Sequence, residues 1–193
     1  SIVISAFNEE KVIQNRVENI SNQNYDFNKL ELIIGSDCST DKTNEILLAL
    51  KKKYSWLKVI LFNERRGKAT VINDLVNHTN GSILLFSDAN TEFEKNAVYN
   101  LVSEFSDPNI GGVSGKLELV EPVQNFEKSS QEIMYWDFEV LIKKLEGKIG
   151  ILIGANGGIF AIRKDLFESI PIDKAITDDL FITLTVLKQQ YKF

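Results

Sequence analysis

Ile83-Leu84-Leu85-Phe86-Ser87-Asp88-Ala89-Asn90 is the stretch on which the fold turns. An apolar run stops abruptly at an acid, a small residue and an amide. Such a run, bounded by polar residues, reads as a strand buried on both faces of a sheet. Residues two apart on a strand point to the same side, so Asp88 and Asn90 are expected to face one target at its carboxyl end. In open α/β sheets, ligands bind at that end. Asp88, Asn90 and Thr91 suit an Asx turn or a helix cap equally well, and this segment alone leaves the two readings level.

The rest of the chain repeats the pattern. Strand-like runs cover 2–6, 30–35, 57–62, 82–87, 111–119 and 159–162. Between them, helical spacing recurs at Ile13, Val17 and Ile20, at Ile46, Leu50 and Tyr54, at Ile72, Leu75 and Val76, and at Ala97, Leu101 and Phe105. Strands alternating with helices predict a mostly parallel sheet covered by helices. After Gly115 the texture changes. A longer helix is expected over 124–146, carrying Met134, Tyr135, Trp136 and Phe138, then a glycine-rich connection, a short strand and a helix over 178–190. No repeat, low-complexity tract or linker breaks the 193 residues, a length that fits one domain.

Charge and composition narrow the partners. Lysine and arginine number 22 against 27 acids, a formal net charge of −5. Lys51-Lys52-Lys53 reads as a solvated helix end beside the negative pole of the dipole. Nucleic acid is therefore not an expected partner, whereas acids at special positions suit a divalent cation and a phosphorylated ligand. The single cysteine, Cys38, cannot close an internal disulfide and fits a reducing compartment. With His78 the only histidine, a His-rich zinc site is excluded and a Cys–His pair disfavoured. No apolar run reaches the roughly 18 residues of a membrane span; glycines and Asn156 interrupt the nearest, 149–162. The chain opens inside an apparent strand with neither initiator Met nor signal peptide. It is expected to be a piece of a longer protein, with any membrane segments outside it.

Three strands end in polar loops: Phe7-Asn8-Glu9-Glu10, Ser36-Asp37-Cys38-Ser39-Thr40-Asp41 and Asp88-Ala89-Asn90. Right-handed crossovers bring all three to one edge of a parallel sheet. Asn8, Ser39 or Thr40, and Thr91 are candidate helix caps, but a cap needs one polar residue and these loops carry surplus acids. There is no Gly-x-Gly-x-x-Gly and no Walker Gly-Lys-Ser/Thr, which disfavours a dinucleotide dehydrogenase and a P-loop NTPase. Gly67-Lys68-Ala69 opens a helix, and Lys68 either faces solvent or approaches a phosphate.

In order, Ser1-Ile2-Val3-Ile4-Ser5-Ala6-Phe7-Asn8-Glu9-Glu10, Asp37-Cys38-Ser39-Thr40-Asp41, Gly67-Lys68-Ala69, Phe86-Ser87-Asp88-Ala89-Asn90, Gly154-Ala155-Asn156-Gly157-Gly158 and Thr177-Asp178-Asp179-Leu180 resemble glycosyltransferase family 2. Tyr135-Trp136 ahead of the glycine-rich segment is most similar to membrane-associated members that build polysaccharides. The resemblance implies the GT-A fold, a Rossmann-like α/β/α three-layer domain over 1–193. Residues 1–119 would form its nucleotide-sugar-binding half and 120–193 its acceptor-binding half. It also implies transfer of a sugar, most often from a uridine diphosphate donor, to a hydroxyl of a glycan or lipid-linked acceptor, with inversion, at the cytoplasmic face of the membrane.

Carried over by position, Ala6, Asn8 and Glu9 line the nucleoside site and Asp37 hydrogen-bonds the base. Asp88 touches the ribose or a metal, Ala89 and Lys68 complete the donor side, and Asp179 is the general base. Trp136, Asn156, Gly157 and Asp178 fall on the acceptor side. The implied cofactor is Mg²⁺ or Mn²⁺ at Asp88 and Asn90. Three positions depart from the family. Ser36 replaces an acid, Cys38 replaces a glycine, and Asn90 stands where the metal-ligating acid is usual. An amide oxygen can ligate such an ion but holds it more weakly than a carboxylate.

The residue types suit the chemistry. A cation at Asp88, aided by Lys68, would offset charge growing on the leaving diphosphate. Asp179 could take the proton of the attacking hydroxyl. Neighbouring helix residues diverge, so Asp179 is expected to point into the cleft and Asp178 to hold a loop or the helix start. The same acids also make a dipole-favoured first turn. The glycines of 154–158 would admit a sugar close to the backbone, or merely supply positive φ. Trp136 shares helical spacing with Ile133 and Val140, a core pattern. Two other functions compete: a non-catalytic nucleotide-sugar-binding domain, suggested by Asn90, and a sugar nucleotidyltransferase, which usually carries a glycine-rich basic loop that 7–10 lacks.

Overall fold

Valine, isoleucine and leucine crowd the strand segments because helices cover both faces. In the computed structural model, which describes residues 1–117, 141–143, 145–172 and 176–193, the first strands are β1 (Ile2–Ala6), β2 (Leu32–Asp37), β3 (Leu57–Phe62) and β4 (Ile83–Ser87). Alternate residues serve opposite cores. Ile2, Ile4, Leu32, Ile34 and Leu85 pack against Ile13, Val17, Ile20, Leu47 and Leu101. These come from α1 (Ile13–Ser21), α2 (Thr43–Lys53) and α4 (Ala97–Glu104). Val3, Ile33, Leu84 and Phe86 meet Val71, Ile72, Leu75, Ile182 and Val186 on the other face, from α3 (Lys68–Asn77) and a last helix, α5 (Asp178–Lys188). Each fully buried Leu or Ile contributes about 1.5–3 kcal/mol. Three layers result.

With β5 (Gly112–Ser114) and β6 (Ile159–Arg163), the strand order is β3-β2-β1-β4-β6-β5. The pairings among β1 to β4 are parallel; β6 runs antiparallel to both β4 and β5. Because β6 is reversed, its first residue, Ile159, pairs with Ser87, the last of β4. That register delivers the glycine-rich connection to the sheet edge that carries Asp88.

Several boundaries differ from expectation. β2 runs through Asp37, which stays in register with Phe62 of β3. β4 stops at Ser87, and residues 88–90 form a turn in which the Thr91 amide donates to the Asp88 carbonyl at 3.4 Å. Turn geometry, not strand alternation, therefore sets the directions of Asp88 and Asn90. Of the strand expected over 111–119, Gly112–Ser114 forms, and 118–119 lie outside the described residues. Most of the expected 124–146 helix also lies outside them, Trp136 included; 141–143 and 145–149 are helical. Helix α5 ends at Lys188, with Gln190 at φ +66° beyond its C-cap, the left-handed conformation that terminates helices.

Candidate active site

The β1–α1 and β2–α2 loops are laced together. The Asn8 amide donates to Ser39 Oγ at 3.1 Å, and the Thr40 amide donates to Asn8 Oδ1 at 2.8 Å. The Glu9 amide donates to Thr43 Oγ1, the Glu10 amide to Asp41 Oδ2, and the Lys42 amide to Glu10 Oε2. The N-cap residues of α1, α2 and α4 are Val12, Lys42 and Asn96, none with a side-chain cap bond. The capping reading of Asn8, Ser39 and Thr40 is thus corrected: their polar atoms bind the neighbouring loop. Asn8 and Cys38 sit at φ +55° and +59°. The second value explains why a glycine suits position 38.

Asp37 is held by donors from the β3–α3 connection. It is 1% exposed. Its Oδ1 accepts from the Arg66 amide at 2.7 Å, and its Oδ2 accepts from the Gly67 amide and from Arg65 Nη1, both at 2.9 Å. The first amides of a helix lack intrahelical acceptors, and Asp37 supplies one to the β3–α3 connection where Gly67 turns at φ +82°. In this structure the carboxylate turns no open face to a base. Arg65 also lies over the exposed Phe7 ring, 3.3 Å from its centroid. Ala6 is buried in β1 opposite Ser36, leaving only backbone to line a site.

Asp88 presents the opposite picture. Its side chain is 40% exposed, and its Oδ1 lies 2.9 Å from Lys68 Nζ. The same ammonium reaches Asp178 Oδ2 at 3.1 Å, bridging the β4 turn to the start of α5. Burial works against the Lys68 charge, but Asp178 and Asp88 outweigh it and lift the ammonium above its ordinary value. Glu9 is raised by burial and by the fields of Asp41 and Asp88. Ala89 is buried and Asn90 exposed. Among the described residues, no three His, Cys, Asp or Glu side chains are grouped to hold a metal ion. Asp88 and Asn90 offer one carboxylate and one amide oxygen, a set that fits Mg²⁺ or Mn²⁺ when substrate phosphates supply the remaining oxygens.

Asp179 turns to the glycine-rich connection. Its Oδ1 accepts from the Leu180 amide, while its Oδ2 lies 3.1 Å from where a Cβ on Gly157 would stand. A Cβ there would press the carboxylate back by a few tenths of an ångström, so glycine gives it the closer approach. Asn156 Oδ1 accepts from the Gly158 amide, and the Asn156 amide donates to Ser114 Oγ. The structure therefore gathers Lys68, Asp88, Asp178, Asp179 and Gly157 at one edge. It adds residues that the sequence reading passed over: Arg65, Phe7, Ser87 and the buried Arg16. Burial pulls Arg16 down to about 9 against the opposing pull of Asp88 and Glu92. A signal for it existed, since position 16 falls on the stripe of Ile13 and Ile20.

A family model described as glycosyl transferase family 2 matches residues 1–170. The chain belongs to this family. It is 29% identical over 197 aligned residues to the Bacillus subtilis protein named "Probable glycosyltransferase YdaM", covering 99% of this chain and 47% of that one. It is 28% identical to a beta-monoglucosyldiacylglycerol synthase of Nostoc, covering 95% and 40%. Identity is also 28% with a poly-beta-1,6-N-acetyl-D-glucosamine synthase of Staphylococcus aureus, covering 95% and 43%. The chain thus spans less than half the length of these family 2 relatives. Among solved structures, a Pyrobaculum calidifontis mannosyltransferase in complex with GDP-Man and Mn²⁺ superposes with a TM-score of 0.82 at 22% identity, covering 99% of this chain and 52% of that one. Staphylococcus aureus TarS in complex with UDP-GlcNAc gives 0.73 at 18%, covering 96% and 52%. The family 2 chain has the GT-A glycosyltransferase fold.

Proposed function

We propose that this family 2 domain is an inverting transferase that moves a sugar from a UDP-sugar to a hydroxyl of a glycan or lipid-linked acceptor. The observation that carries the reading is the meeting of two faces at one sheet edge: Asp88 and Lys68 on one, Asp179 against Gly157 on the other. Asp179 takes the acceptor proton through the oxygen that faces the glycine backbone. Lys68, already between two carboxylates, has the reach to meet the donor phosphates. A divalent cation held by Asp88 and Asn90 with those phosphates would stabilise the leaving diphosphate as a Lewis acid. Glu9, Asn8, Ala6 and Ala89 border the donor side, Asn156 and Asp178 the acceptor side, and Asp37 serves the donor through the 65–67 connection. Residues 1–119 then carry the donor half of one domain and 120–193 the acceptor half.

The names of the relatives, a glycolipid synthase and a polysaccharide synthase, support an acceptor of that kind and action at the cytoplasmic membrane face. No helix among the described residues is long and apolar enough to cross a membrane, so attachment would come through other parts of the protein. A donor screen reading released nucleoside diphosphate, with mass analysis of product, tests the reading. UDP release with a heavier acceptor is expected, and Asp179→Asn should lower turnover by about a thousandfold with UDP affinity held. Tight UDP binding without turnover on any donor would make the domain a binding module, and pyrophosphate release from a nucleoside triphosphate would make it a nucleotidyltransferase.

A further inference from the structure

Arg16 is 1% exposed on the inner face of α1, and its Nε has no hydrogen-bond partner. No carboxylate forms an ion pair with it among the described residues. A buried charge held this way is poor stabilisation, since an apolar residue of similar volume is often neutral or better. Its placement carries more information. Nη2 donates to Ser87 Oγ at 2.8 Å, Nη1 donates to Asn19 Oδ1 at 3.1 Å, and the guanidinium lies 3.9 Å from the centroid of Phe93. Asn19 in turn holds the backbone of Phe93 at both its amide and its carbonyl. Ser87 and Phe93 flank the turn that bears Asp88 and Asn90, so α1 grips that turn at both ends.

The link continues across the cleft. A guanidinium only donates, so Ser87 Oγ must accept from Arg16, and its single proton is left for an acceptor elsewhere. That acceptor is the carbonyl of Gly158, at 2.6 Å. Gly158 comes directly after Gly157, whose Cα faces Asp179. We propose that Arg16 is a positioning residue for sugar transfer: through Ser87, it sets the turn of Asp88 and Asn90 against the glycine-rich connection that faces Asp179.

This rests on the transferase reading and is tested apart from it. Arg16→Met keeps most of the volume and removes the donors; Arg16→Lys keeps a donor. In the full chain, Arg16→Met should lower kcat by about tenfold or more while donor KM stays within about threefold. Arg16→Lys should restore most of the loss, and the Tm of the Met variant should hold or rise. A folded Arg16→Met chain with wild-type kcat, or a loss that Lys does not restore, overturns the proposal. Should Arg16→Met fail to fold, Ser87→Ala replaces it: lowered kcat at unchanged donor KM supports the link, and unchanged kcat overturns it. Should the wild-type chain transfer no sugar, the transferase reading falls alone, and hydrogen exchange at 154–158 decides. Protection lost in Met and regained in Lys supports the positioning role; protection equal to wild type in Met overturns it.

Discussion

Strands β2 and β4 each end beside an aspartate at the same edge of one sheet, and the two acids work differently. Asp37 is enclosed, with three internal donors closing around it. Asp88 is open, and its ion-pair partner Lys68 is shared with Asp178. The difference comes from the backbone amides near each carboxylate and where they find acceptors. The β3–α3 connection folds back over Asp37 and gives it two backbone amides, whereas in the turn after β4 the Thr91 amide bonds the Asp88 carbonyl and the carboxylate meets Lys68. One acid is spent on the fold of a loop, and the other is left partly exposed beside Lys68.

Substitution separates the two roles. Asp88→Ala should lower transfer by about a hundredfold or more, while its Tm, read by calorimetry, moves little because an exposed group is lost. Asp37→Ala should act mainly on stability. Two amides left without acceptors cost roughly 2–4 kcal/mol in urea unfolding. If Asp37→Ala instead unfolds like wild type and loses UDP affinity alone, the contrast breaks, and Asp37 is a base ligand after all. The smallest expected effect is at Cys38→Gly, which relieves a left-handed residue in the β2–α2 loop and should stabilise by about 0.5 kcal/mol. A destabilised Cys38→Gly chain would assign the Cys38 contact with the Asn63 carbonyl more weight than the backbone strain.

The layered fold was legible because β2 and β4 are apolar on both faces, a pattern that only a covered sheet explains. The gathering of three polar loops at one edge followed from parallel pairing. Other features were not written locally. Asp37 and Asp88 look alike in sequence, and what separates them is a loop some thirty residues downstream of Asp37. The divergence of Asp178 from Asp179 follows from helix geometry, but the partner of Asp178 is Lys68, on a different helix. Arg16 was visible as a charge on an apolar stripe, yet its target, Ser87, is known only once α1 packs under β4.

Ser114 pairs with Phe160, and the Gly115 amide donates to the Ile159 carbonyl at 2.9 Å. The chain therefore leaves the sheet after β5 and re-enters it at β6 through adjacent doorposts. Before that return, the Leu152 amide donates to the Phe193 carbonyl at 3.3 Å and the Ala155 amide to Thr183 Oγ1 at 3.0 Å, so the end of the excursion is anchored in the core. Doubling the length of such an excursion adds only about 0.6 kcal/mol of closure entropy. Changes in chain length between these two doorposts should therefore cost little closure entropy, provided that Leu152 and Ala155 keep their places in the core.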